Sequence, residues 1–209
     1  MGGSVEKILY TVEHEIGTTD GALALYDVLP IEVRRQIEMQ VPEFRDILKR
    51  SGEHHDFTKR DWPEDLLCRK RNPSDEDWEL WIWPHPIESA ESYFEMYKDP
   101  IGKRMIRHHH ERFDGFTGKP YGGYPGELKG ESIPLGARIM KIADAFHAMV
   151  SNRPYRDRKF NILEALDQIR EKAGTEYDPT LAPLFCTISL SVLEKIAGNG
   201  ACSDSKDAS

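Results

Sequence analysis

The chain reads almost throughout at a helical period. Over residues 31–49 (IEVRRQIEMQVPEFRDILK), Ile31, Val33, Ile37, Met39, Val41, Phe44, Ile47 and Leu48 recur at the intervals that gather one face of an α-helix. Pro42 has no N–H for an interior helical bond, so this stretch is expected as two helices. Leu135, Ile139, Ile142, Ala143, Phe146, Met149 and Val150 mark a longer amphipathic helix opening at Pro134, a first-turn proline. Residues 160–173 repeat the pattern and stop at Gly174, and Asp178 with Pro179 starts a last helical stretch that reaches about Ala197, with a break at Pro183. Residues 87–98 and 100–113 read as two further helices. Ser74 followed by Asp77 resembles a capping box for a short helix, whose Trp78, Trp81 and Trp83 form a heavy apolar face ending at Pro84. Residues 6–15 and 22–29 carry apolar side chains at mixed spacings and say least. No segment alternates as a strand does and none repeats, so the expected fold is all-α, with residues 198–209 a small, polar, disordered tail.

Composition narrows the function classes. Lys and Arg number 28 against 36 Asp and Glu, and the net charge of −8 argues against a binder of polymeric nucleic acid or of membrane surfaces. An anionic ligand must then meet a local basic patch, and the clearest is Arg153, Arg156, Arg158 and Lys159. Cys68, Cys186 and Cys202 are odd in number and far apart, which fits neither a disulfide framework nor a zinc knuckle. No apolar run approaches the length of a membrane span and the N-terminus lacks a signal-peptide pattern, so the expected location is the cytoplasm.

The candidate chemistry is concentrated in residues 106–155. Three adjacent histidines, His108 to His110, sit near the end of the expected 100–113 helix, and because consecutive helical positions point about 100° apart, at most two of them can face one cation. Neutral imidazoles and carboxylates are ligands of borderline metals, which makes His109, His110 and Asp144 the first candidates. An aspartate between Ile142-Ala143 and Ala145-Phe146 is costly to bury without a cation or ion pair, and His147 shares its face. Upstream stand the dipeptide His55-Asp56 with Lys59 three residues on, and His85 between two prolines, either a rigid corner that holds an imidazole still or a surface loop. Five glycines and two prolines between Phe116 and Glu131 predict a binding loop or lid, in which Tyr121 and Tyr124 either stack on a base or plug the loop to the core. His14, between two glutamates, reads as a solvated surface residue.

Taken in order, His55-Asp56 with Lys59, His85-Pro86, His109-His110-Glu111, Asp114-Gly115, Gly123-Tyr124-Pro125, Ile133-Pro134-Leu135, Ala137-Arg138-Ile139, Asp144 and Arg153-Pro154-Tyr155-Arg156 resemble the HD-GYP family of HD-domain metal-dependent phosphohydrolases, over roughly residues 50–185. The resemblance implies an HD-domain helical bundle with a glycine-rich loop over residues 51–197, and residues 1–50 as a helical segment packed on it or continuous with it. It implies a binuclear iron or manganese centre and hydrolysis of cyclic di-GMP to linear pGpG, GMP or both. Asp56 would bridge the metals, His55 and Asp144 would serve one, and His85, His109 and His110 the other. Lys59 would act with Asp56 in catalysis, and Lys59, Arg153, Arg156 and Tyr124 would contact the ligand. The alternatives are a degenerate member that binds a cyclic dinucleotide or a signalling partner without turnover, and an HD phosphohydrolase of another nucleotide; a homodimer is compatible with each.

The sequence also departs from the family. Residues 116–122 look like an insertion, Phe57-Thr58 replace an Ile-Gly pair, and position 147 is histidine where aspartate is common. The histidine, or Glu-x-x-x-His pair, that usually precedes the His-Asp dipeptide by about one helical hairpin is missing at that spacing. The first metal position therefore lacks a ligand, and His147, a distant His14 or water is left to supply it.

Overall fold

The computed structural model describes residues 3–67, 71–118, 122–151 and 159–198, with side chains from residue 9 onward. The elements are α1 (Gly3–Val28), α2 (Ile31–Gln40), α3 (Phe44–Gly52), α4 (Glu64–Leu67), α5 (Asp75–Asp77), α6 (His85–Tyr97), α7 (Pro100–Arg107), α8 (Leu135–Val150), α9 (Ile162–Glu171), α10 (Leu181–Phe185) and α11 (Leu190–Gly198). No strand occurs among the described residues, so the all-α expectation holds.

Local signals explain most helix ends. The Ser74–Asp77 capping box is present, with Asp77 N donating to Ser74 Oγ at 3.1 Å and Ser74 N to Asp77 Oδ2 at 2.7 Å; α5 then passes into a π-helical turn, Trp78–Ile82. Asn161 and Glu164 box the start of α9 in the same way, and Asp99 caps α7 through Ile101 N and Gly102 N. Pro42 separates α2 from α3 as its missing N–H predicts. Pro183 does not break the last stretch: it lies inside α10, in the first turn where no intrahelical N–H is needed, and the interruption comes at residues 186–189. Helix α7 ends at Arg107, well short of residue 113, so the three histidines occupy a turn.

One continuous core joins residues on both sides of position 50. It runs from Ala22, Leu25, Tyr26 and Leu29 of α1 and Phe44 and Leu48 of α3 through Tyr93, Met105 and Ile106 to Ile139, Met140, Ile142, Phe146 and Val150 of α8, then to Ile169, Phe185 and Leu193. The buried face of α8 is the one its periodicity predicted. Helices α1 and α8 cross in opposite directions at small residues. A Cβ on Gly21 would lie 3.1 Å from Ala143 Cβ, and one on Gly17 would lie 2.2 Å from the His147 ring. That close approach brings the middle of α1 onto the polar face of α8. A smaller cluster of Trp62, Leu66, Leu67 and Ile82, flanked by Tyr10, Trp78, Trp81 and Tyr124, forms a second apolar wall.

Phe146 is fully buried with its ring 5.2 Å from that of Phe185, at the point where α8 meets α10. Phe146→Ala should therefore lower unfolding free energy by about 3–5 kcal/mol in urea titration, since the cavity is walled by rigid helices.

Candidate metal centre

Helix ends aim the imidazoles. The last carbonyls of a helix or helical turn have no intrahelical donor, and a histidine three residues later can take one with its Nδ1–H. His55 Nδ1 donates to Gly52 O at 2.7 Å, His85 Nδ1 to Ile82 O at 2.6 Å and His109 Nδ1 to Ile106 O at 2.6 Å. A carbonyl only accepts, so each Nδ1 carries the proton and each Nε2 presents a lone pair to the interior. All three imidazoles are wholly buried, and Nε2 of His55 and of His109 has no hydrogen-bond partner.

These nitrogens converge on Asp56, which is 1% exposed. Its Oδ1 lies 3.4 Å from His85 Nε2 and 3.9 Å from His109 Nε2, while His110 Nε2 stands 3.2 Å from His85 Nε2. Its Oδ2 lies 3.6 Å from His55 Nε2 and 3.7 Å from His14 Nε2, and His14 Nε2 is 2.8 Å from Asp144 Oδ1. One carboxylate thus faces two groups of donors: His85, His109 and His110 on one oxygen, His14 and His55, with Asp144 beside them, on the other. Buried lone pairs without donors are expensive unless a cation meets them, and mixed imidazole and carboxylate donors suit iron, manganese or zinc. The residues present therefore fit a pair of metal ions.

His14 corrects the reading of α1. It is 8% exposed and inward-facing, because Thr11, His14, Glu15, Thr18, Ala22, Leu25 and Leu29 form one buried stripe at helical spacing. Only the second half of that stripe is apolar, which is why hydrophobic periodicity missed the first half. His147, the other candidate for the vacant ligand position, is buried behind His14, with the two Nδ1 atoms 2.8 Å apart.

The neighbouring motif residues shape the site. His108 turns away to Glu111, with Nδ1 3.3 Å from Oε1. Buried Glu111 accepts from the backbone N of Gly126, Glu127 and Leu128 at 2.9–3.3 Å and so fastens the glycine loop to the histidine turn. Gly123 permits that closeness, since a Cβ there would fall 2.5 Å from Arg112 N. Tyr124, followed by a cis bond to Pro125, stacks on His110 at 4.6 Å and 26° and lines the cavity. Lys59 Nζ donates to Asp56 Oδ2 at 2.6 Å and lies over Trp62. Arg112 pairs with Asp114, and Arg138 with Asp178, so these motif residues brace the turns. Arg153 and Arg156 lie outside the described residues.

The cavity, about 620 Å³, has a polar floor of His14, Asp56, Lys59, His85, His110 and Asp144 and an aromatic wall of Tyr10, Trp62, Trp78 and Tyr124. Burial pushes His109 and His110 well below the usual imidazole range and His85 down to about 4, so all three are neutral donors at pH 7. Burial alone would raise Asp56, but His55, Lys59 and His85 around it hold the carboxyl well below the usual range; His14 does the same for Asp144.

Comparison with known proteins agrees with this architecture. An HD domain family model matches residues 39–181. A cyclic di-GMP phosphodiesterase of Pseudomonas aeruginosa is 31% identical over 158 residues, covering 75% of this chain and 36% of that protein. A cyclic di-GMP phosphodiesterase of Vibrio cholerae serotype O1 is 29% identical over 154 residues, covering 70% of this chain and 30% of that protein. The crystal structure of a cyclic GMP-AMP specific phosphodiesterase of V. cholerae shares the fold, with a TM-score of 0.56 at 17% identity over 95% of this chain and 54% of that one. The match spans about a third of the length of these curated relatives. The chain belongs to the HD domain family, on its HD-GYP branch, and HD domains are metal-dependent. No helix among the described residues is long and apolar enough to cross a membrane.

The protonation pattern has a sign that can be measured on metal-free protein. In the unfolded chain His85 takes a proton near 6.5, and in the folded chain only near 4, so the unfolded state binds more protons in that window and stability falls as pH drops through it. Asp56 and Asp144, held low when folded, add a further loss below the ordinary carboxylate value of 3.8. The urea midpoint of chelator-treated protein should therefore decline steadily from about pH 6.5 to 4, and a midpoint flat across that range would contradict the buried neutral state of His85.

Proposed function

We propose that this chain is a metal-dependent phosphodiesterase that opens a cyclic dinucleotide, cyclic di-GMP first among them, to linear pGpG, GMP or both. The reading is carried by one observation: a single buried carboxylate, Asp56, faces two donor groups drawn from α1, α8 and three helix-end turns. In this assignment two iron or manganese ions would be held, one by His14, His55 and Asp144 and the other by His85, His109 and His110, with Asp56 serving both. The residue four before His14 is Tyr10, which leaves the Glu-x-x-x-His pair without its carboxylate and favours two ions over three.

Bound together, such ions supply Lewis acidity at the scissile phosphate and acidify a water. The protein's own part is positioning and charge. The Nδ1–H bonds to backbone fix His55, His85 and His109 so that no donor reorganises during reaction. Lys59, mobile enough to exchange Asp56 for a phosphate oxygen, neutralises charge that grows in the transition state. Arg153 and Arg156 would meet the second phosphate. The aromatic wall suits a ligand that carries bases as well as phosphates, with Tyr124, fixed over His110, as the side chain that holds the ring beside the metals.

The test is anaerobic incubation of the iron- or manganese-loaded full chain with cyclic di-GMP and, in parallel, 3'3'-cGAMP, following linear product. Cyclic di-GMP should be cleaved, Asp56→Asn and His109→Ala should reduce turnover to background together with metal content, and Lys59→Ala should lower kcat about 10²–10³-fold with metal retained. Cleavage of 3'3'-cGAMP alone would reassign the substrate; tight binding of either without product would make the chain a sensor.

A further inference from the structure

His147 stands where a ligand was wanted, yet its geometry gives it another task. Its Nδ1 lies 2.8 Å from His14 Nδ1, a separation that requires one proton shared between two nitrogens. On the far side, His147 Nε2 is 3.2 Å from Ser151 Oγ, and Ser151 Oγ donates to His147 O at 2.6 Å. Ser151 Oγ is also 3.4 Å from His147 Nδ1, so it packs against the ring and seats it without selecting a tautomer. The contact between the two imidazoles therefore grips the His14 ring at Nδ1 while its Nε2 edge faces Asp144 Oδ1 at 2.8 Å and Asp56 Oδ2 at 3.7 Å. We infer that His147 is a positioning residue: as the middle of a Ser151–His147–His14 chain it sets the ring orientation of His14, the metal ligand of α1. This rests on the two-cation reading of the centre.

Two further features make the chain a built one. His147 is 1% exposed and Ser151 8%, which keeps water from competing for these bonds. Gly17 leaves the space the ring occupies, since a Cβ there would fall 2.2 Å from both Cδ2 and Nε2 of His147. Helix α1 thus carries the ligand and, one turn on, the notch for the residue that orients it.

The decisive measurement is manganese binding to the full chain, by chelator competition and by the paramagnetic resonance signal of an exchange-coupled manganese pair. Wild type should bind two ions. His147→Leu, which fills the space but forms no hydrogen bond, should weaken one of them about 10–100-fold and lose the coupled signal, whereas His147→Asn, whose amide stands close to the place of Nδ1, should retain both. Gly17→Ala should reproduce the loss in the wild-type background and have no effect in His147→Ala, where no ring is left to displace. Unchanged affinity in His147→Leu, or an asparagine variant as impaired as leucine, overturns the positioning role while leaving the two-metal centre standing. A wild type that binds one ion or none overturns the two-cation reading and this inference with it.

Discussion

Three imidazole Nδ1–H groups bonded to three helix-end carbonyls are the constraint from which the rest of the site follows. Gly52 O closes α3, Ile82 O closes the π-helical turn and Ile106 O lies at the end of α7. Gly52 O and Ile82 O are left over by helix geometry and Ile106 O receives only a long 3.4 Å bond from His109 N, and each is satisfied by a side chain that in return loses its rotational freedom and its choice of tautomer. The lengths of α3 and α7 therefore have chemical meaning: had α7 continued to residue 113, Ile106 O would have been spent within the helix and His109 would have had no fixed proton. The cost is two buried nitrogens without partners, an arrangement that protein interiors tolerate when another group, here a cation, meets them.

The other half of the centre depends on how closely α1 lies on α8. Gly17 and Gly21 remove side chains at the crossing, and His14 reaches Asp144 and Asp56 from a helix otherwise occupied with packing the core. Binding of metal and packing of α1 are consequently one problem. Ions that drew on α1, on α8 and on the turns after α3 and α7 would hold the bundle together across its core, so their binding free energy would also be folding free energy.

How much of this was legible in the sequence varied with the signal. Helix α8 and the split at Pro42 were readable because an apolar stripe and a missing N–H each leave one interpretation. His55, Asp56, His85, His109, His110 and Asp144 were readable because their order matched a family pattern; Asp56, His85, His110 and Asp144 line the cavity, and His55 and His109 stand behind it with Nε2 3.6 Å and 3.9 Å from the Asp56 carboxylate. His14 was not. Its helix buries Thr11, His14, Glu15 and Thr18 on the face that becomes apolar only from Ala22 onward, so a hydrophobicity scale registers no stripe where the site begins. Helix α2 lies between His14 and His55, and the longer path departs from the spacing that would have identified His14. The histidine turn was read as helix for a related reason: nothing in Arg107-His108-His109 breaks a helix, and the break is made by tertiary bonds of Glu111 to the loop at residues 126–128.

The charge of the chain finds its explanation at the same place. A net charge of −8 is unfavourable for a ligand with phosphates, and composition alone pointed to a basic patch as the remedy. Within the cavity, however, the metal-facing negative charge is confined to Asp56 and Asp144, His85, His109 and His110 are neutral, and Lys59 already offsets Asp56. Two divalent cations on that frame would leave the floor of the cavity positive, in a buried setting where the field is little screened by water or salt. The overall charge then repels anions in general, while the cavity attracts those whose shape lets them pass the aromatic wall. Selectivity of this kind requires neutral ligands: each histidine exchanged for a carboxylate would cancel part of the positive charge that the cations bring, so the preponderance of imidazoles at the centre is what would allow an acidic protein to receive the phosphodiester of the proposed reaction.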